Sequence, residues 1–159
     1  MKPEKLSQET FAPYGTVISE KKEHCDVENE QFAFYANIAL FDIPGEGTVG
    51  ILEGKQREMV LKCMERHVKT PEILFQIYRD AILFVGRSDG YGTDIKDIKA
   101  FLLQQGQTVI MAPGIWHWVP YPVDADRCIT QVIFKKGTSD TDYEIAELPE
   151  VIRISERKE

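Results

Sequence analysis

Histidine and cysteine are scarce in this chain of 159 residues, with three of each. Cys25, Cys63 and Cys128 are odd in number and form no C-x-x-C pair, which excludes a disulfide framework and points to a reducing compartment. Basic residues are outnumbered, 19 Lys and Arg against 26 Asp and Glu, for a net charge of −7. A nucleic-acid or anionic-membrane partner would need a basic patch, so neither is expected. A small anionic substrate stays open, because a few local cations suffice for one. No apolar run approaches the ~20 residues of a membrane-spanning helix. The start, Met1-Lys2-Pro3-Glu4, has no apolar signal region, so a soluble cytoplasmic protein is expected. Internal repeats, low-complexity tracts and linkers are also missing, and one domain is expected over 1–159.

The residues that are plentiful describe strands. The chain is 43% hydrophobic and 28% charged, the balance of an ordinary globular domain. "KLSQETFAPYG" predicts one helical turn, with Ser7 as N-cap and Pro13 and Gly15 ending it. "GTVIS", "FAFYANIALF", "TVGILEG", "REMVLKCMERH", "EILFQIY", "AILFVG", "GQTVIMAPG", "HWVPYP" and "CITQVIF" predict strands separated by turn residues. "EKKEHCDVENEQ" and "DGYGTDIKD" predict loops, and "IKAFLL" fits strand or helix. "DYEIAELPEVIRI" fits a short helix or an edge strand. Many short strands at this spacing imply a closed or double-sheet all-β fold.

Chemistry concentrates in "MERHVKTPE", which carries Glu65, His67 and Glu72 within eight residues. Residues two apart on a strand share a face, so Glu65 and His67 point together and Arg66 points away. Thr70-Pro71 interrupts the ladder, and Glu72 then opens the next strand beside them. A second piece, "GQTVIMAPGIWHW", places the tight turn Ala112-Pro113-Gly114 before His117. The competing reading is a charged surface strand and an unrelated histidine.

These two pieces resemble the paired cupin motifs. H-x-H-x4-E is matched by Glu65-x-His67-x4-Glu72, with Glu in place of the first His. G-x5-P-x-G-x2-H is matched by Gly106-x5-Ala112-x-Gly114-x2-His117, with Ala in place of Pro. The resemblance implies an all-β double-stranded β-helix, a jelly-roll barrel with little helix and a divalent metal in its mouth. Glu65, His67, Glu72 and His117 are the implied ligands. Two carboxylates and two imidazoles suit Mn, Fe, Co, Ni or Zn, with no choice among them from ligand type. A cupin's outer sheet face often stays apolar, and Ile73, Phe75 and Ile77 are candidates for it.

Within the cupins, the chain is similar to the ureidoglycolate lyase family, long called ureidoglycolate hydrolase. The likeness runs through "LSQETFAPYGTVI" at 6–18, Glu65-Arg66-His67, "SDGYGTDIKDIKAFL" at 88–102, Trp116-His117 and "SDTDYEIAELPE" at 139–150. It implies cleavage of ureidoglycolate to glyoxylate and urea, a step in allantoin degradation and purine catabolism, by a homodimer. Catalytic roles fall to His67 and to Glu72, which is the base if loosely coordinated and otherwise leaves that work to a bound hydroxide. Tyr35 matches a family tyrosine, and either binds a substrate carboxylate or packs on a strand. Gln76, sharing parity with Glu72, and Trp116, beside His117, either face the substrate or pack. Three departures stand out: Glu72 where the family has Gln, Trp118 where it has a second His, and no Arg in the strand before Glu65. The alternatives are a cupin enzyme acting on another hydroxy-acid or sugar-acid, and a cupin that binds a small ligand without turnover.

Overall fold

The computed structural model describes residues 1–18, 25–89 and 94–155. The chain runs β1 (Glu4–Lys5), α1 (Gln8–Phe11), β2 (Gly15–Ile18), β3 (Val27–Glu28), β4 (Ala33–Phe34), β5 (Gly47–Lys55), β6 (Val60–Arg66) and β7 (Glu72–Tyr78). It continues with β8 (Ala81–Arg87), β9 (Lys96–Leu103), β10 (Thr108–Met111), β11 (Trp116–His117), β12 (Tyr121–Pro122), β13 (Arg127–Lys135), α2 (Thr138–Thr141) and β14 (Glu144–Arg153). One sheet has the order β1-β9-β8-β11-β6-β14, with β12 also paired to β8; the second has the order β2-β10-β7-β13-β5. Every pairing is antiparallel except β1 with β9. This is the all-β cupin jelly roll that the motifs imply.

Alternation along the strands builds two cores. Leu83, Val85, Phe101 and Leu103 of the first sheet meet Leu74, Val109, Met111 and Val132 of the second, filling the space between the sheets. The alternate residues of the first sheet, among them Met64, Ile82, Phe84, Ala100, Trp116 and Ala146, form a second core on its far face. Gly86, paired with Trp116, sits against that core. A Cβ there would lie 2.7 Å from Ile95 Cγ2, which real Cβ atoms do not tolerate. Each side of the first sheet is therefore buried, and a one-residue slip of β6 would exchange the two sets.

The helical turn forms as expected, with Ser7 capping α1 by accepting from the Thr10 N–H at 3.2 Å. "IKAFLL" is strand β9, and the closing segment is the edge strand β14. "FAFYANIALF" departs from expectation: only Ala33–Phe34 is extended and paired, to β3. Asn37 has φ 53, in the left-handed region that ends a strand. Of the first expected loop, 20–24 lie outside the described residues and Val27–Glu28 form β3 instead; of the second, 90–93 lie outside them and Lys96–Asp97 begin β9.

Candidate metal centre

The strand register brings the two motifs together. His117 on β11 pairs directly with Glu65 on β6, so their side chains stand side by side on the face between the sheets. The turn before β11 is tied to the same place, because the Gly114 N–H donates to the His67 carbonyl at 2.6 Å. Gly114 has φ +85, a conformation that favours glycine. Glu72, at the start of β7, reaches across from the second sheet. Its Oε2 lies 3.1 Å from His67 Nε2 and 3.0 Å from His117 Nε2. Glu65 Oε1 lies 3.8 Å from His117 Nε2. The four residues that the sequence nominates as ligands thus converge, and donor atoms of Glu65, His67 and His117 all fall within 4.8 Å of one another.

Both imidazoles are oriented through their other nitrogen. His67 Nδ1 lies 2.6 Å from the Asp142 carbonyl, and His117 Nδ1 lies 3.0 Å from the Ile115 carbonyl. A carbonyl accepts only, so Nδ1 carries the proton, and a neutral ring turns its Nε2 lone pair to the centre. Phe134 packs edge-on against the His67 ring.

The electrostatics are those of a compact ion cluster. Burial alone would raise the Glu72 carboxyl, but the two imidazoles beside it hold it down to about 2. Burial alone would lower His117, but the charge of Glu72, helped by Glu65 and the Ile115 carbonyl, pushes it up to about 9. His67 is raised in the same way, with Glu72 outweighing burial. A carboxylate held so low is a poor proton acceptor, which argues against Glu72 as the base.

The donor set fits a divalent first-row ion. Glu72 Oε2 and His117 Nε2 are buried and have no hydrogen-bond partner, an arrangement that a cation between them would resolve.

A cavity of about 350 Å³ opens onto this cluster. Glu65, His67 and Glu72 form its base, Leu52, Val132 and Phe134 part of its wall, and Ser139 and Tyr143 lie on its rim. His117, also buried, sits behind the base. The three proposed substrate-binding residues are not brought here. Gln76 has the parity of Glu72 but lies four residues along β7, wholly buried. It accepts from the Thr130 hydroxyl at 2.6 Å and donates to the Tyr78 and Arg79 carbonyls. Trp116 points to the far face of the first sheet, where its indole N–H donates to the Ser88 hydroxyl at 2.8 Å. Tyr35 follows β4 and does not line the cavity. Arg57 donates to the Lys55 and Val119 carbonyls and stacks on Tyr121.

Ser139, Tyr143 and Asp142 escaped residue-by-residue reading. Their one sequence signal is the family-like segment 139–150, which marks the region without assigning a role.

Comparison with known proteins agrees with that segment. The sequence profile described as "Ureidoglycolate lyase" matches residues 1–155. A ureidoglycolate lyase from Burkholderia cepacia is 28% identical over 134 residues, covering 79% of this chain and 74% of the relative. One from Chelativorans sp. (strain BNC1) is 25% identical over 157 residues, covering 95% and 93%. Among solved structures, oxalate decarboxylase from Bacillus subtilis superposes with a TM-score of 0.40 at 18% identity over 77% of this chain. The Lactobacillus farciminis enzyme gives 0.41 at 17% over 74%. The chain spans about a third of the length of these two, 35% and 36%.

Proposed function

The chain belongs to the ureidoglycolate lyase family, and from that premise we propose that it cleaves ureidoglycolate to glyoxylate and urea, in purine catabolism. The observation that carries this reading is the convergence of Glu65, His67, Glu72 and His117, the first three of which line one cavity. These four residues would hold a divalent first-row metal, which supplies Lewis acidity toward a carboxylate and its α-hydroxyl when bound. Glu72 keeps its ligand role in this proposal but loses the role of base. That role passes to Glu65, the most loosely placed of the four, which lines the cavity, has a 28% exposed side chain and would act as base when its carboxylate is free of the metal. Glu65 takes the C2 hydroxyl proton, the C2–N bond breaks as the aldehyde forms, and the same proton returns to the departing urea nitrogen. The balance needs neither water nor an oxidant. Ser139 and Tyr143 offer hydroxyls to the polar ends of the substrate.

A second reading has its own support. The wall of Leu52, Val132 and Phe134 suits a small hydroxy-acid bearing an apolar arm. Metal-loaded protein is to be incubated with ureidoglycolate and, separately, with 2-hydroxyisocaproate. Glyoxylate release that disappears in His67→Ala supports the lyase. No turnover of ureidoglycolate, with tight binding of the apolar acid, moves the assignment to the second reading.

For partners we propose a homodimer in the cytoplasm, on family likeness. The edge strand β5 adds an observation: Val49 and Ile51 on it are 61% and 63% exposed, continuing the face that holds Ile73 and Phe75. Light scattering should give twice the 18.2 kDa chain mass, and a monomer would refute it.

A further inference from the structure

Asp142 is 6% exposed, yet it neither lines the cavity nor belongs to the ligand cluster. Its carboxylate and its carbonyl converge on the three residues that begin with His67. Oδ1 accepts from the Val68 N–H at 3.0 Å and Oδ2 from the Lys69 N–H at 2.9 Å. The backbone carbonyl of the same residue meets His67 Nδ1 at 2.6 Å. Its own N–H donates to the Thr138 carbonyl at 3.0 Å, which closes α2. Two residues on, Glu144 is clamped to β6 by Arg66 at 2.7 Å. Side chain and main chain of one residue therefore grip three successive residues just past the end of β6, where the sheet no longer holds them.

We propose that Asp142 is the positioning residue for the His67 ligand. The inference rests on the metal-site reading above. The carboxylate hooks two consecutive peptide N–H groups, and the carboxylate charge makes those bonds the strong kind. That fixes the distance between the 67–69 turn and the 142 carbonyl. The carbonyl in turn fixes the tautomer and plane of the His67 ring, so that Nε2 faces Glu72 and His117. Without the carboxylate, the two N–H groups lose their acceptors, the turn relaxes, and the ring loses its aim.

The test compares wild type, Asp142→Ala and Asp142→Asn as full-length metal-free protein. Co(II) affinity is measured by competition with a chromophoric chelator, alongside the visible spectrum of the Co(II) form and the melting temperature without metal. Loss of a residue that orients a ligand weakens metal binding roughly 10- to 100-fold. Asp142→Ala should show that loss with an altered Co(II) spectrum. Asp142→Asn, which keeps one acceptor oxygen, should fall between. A merely structural residue would lower the melting temperature and leave affinity and spectrum of the folded protein at wild-type values; that result overturns the proposal. If Asp142→Ala does not fold, Asp142→Asn decides by the same criterion. Wild type that binds no Co(II) takes down the metal reading and this inference together, whereas wild type that binds beside unaffected variants takes down this inference alone.

Discussion

Glu65 faces the space between the sheets, and Arg66, one residue on, faces the far side of the same strand. Both stand beside an aromatic or imidazole partner from β11: His117 for Glu65, Trp116 for Arg66. On the far side the charge is answered by protein. The guanidinium, 2% exposed, stacks 4.7 Å from the Trp116 ring, donates to the Ser88 hydroxyl and pairs with Glu144. On the near side two carboxylates and two imidazoles crowd together beside a cavity and answer one another. The same alternation of one strand yields a closed structural network on one face and a cluster of metal-ligating donor types on the other. What separates them is that the near cluster opens onto a cavity and the far network is sealed in a core.

Variants of the two faces should fail differently. The largest effect is expected from Trp116→Ala, which empties a fully buried site in the second core and should cost about 3–5 kcal/mol of folding stability by denaturant titration. Metal affinity of the folded fraction should hold. Next comes His117→Ala, which should weaken metal binding more than about 100-fold, beyond the range for residues that merely orient a ligand. Equilibrium dialysis with elemental analysis measures it. If Trp116→Ala lost metal as fully as His117→Ala, the division between the faces would be wrong.

Acidity separates the faces more gently. Without metal, His117 has a folded value near 9, above its ordinary 6.5, so its stabilising contribution is complete below 6.5 and lost as pH rises through about 9. Glu72 is held near 2, below its ordinary 4.5, so its contribution is present above 4.5 and lost as pH falls through about 2. The cluster therefore stabilises metal-free protein most between pH 4.5 and 6.5, and less toward pH 9. Metal must displace the imidazole protons, so its affinity rises with pH over that same range. Thermal melts at pH 6 and 9, with and without chelator, should show opposite trends. The smallest effect belongs to the rim: Tyr143→Phe removes one hydroxyl and should raise KM roughly two- to tenfold, the worth of one hydrogen bond, with kcat nearly unchanged.

The convergence of the four nominated residues is legible because their placement is local. Strand parity fixes Glu65, the interruption at Thr70-Pro71 fixes Glu72, and the turn at Gly114 fixes His117. Parity also put Gln76 on the right face, but not how far along β7 the cavity reaches; Thr130 and two carbonyls occupy its polar atoms instead. For Trp116 the packing alternative holds, because adjacency to His117 on a strand means the opposite face. Asp142, Ser139 and Tyr143 were hidden for a different reason. They reach the site from a segment some 75 residues after His67, the separation of the Asp142 carbonyl contact, and no period in the sequence encodes that contact. The run at 32–41 shows the reverse error, since apolar residues alone do not make a strand without a partner ladder.

The central claim is that the near face of β6 holds a metal and the far face does not. Anomalous diffraction from crystals of protein loaded with one equivalent of Co(II), recorded at the cobalt edge, tests it directly. The account predicts one strong peak bounded by Glu65, His67, Glu72 and His117. A peak elsewhere, or none beside an otherwise well-ordered cluster, would contradict it.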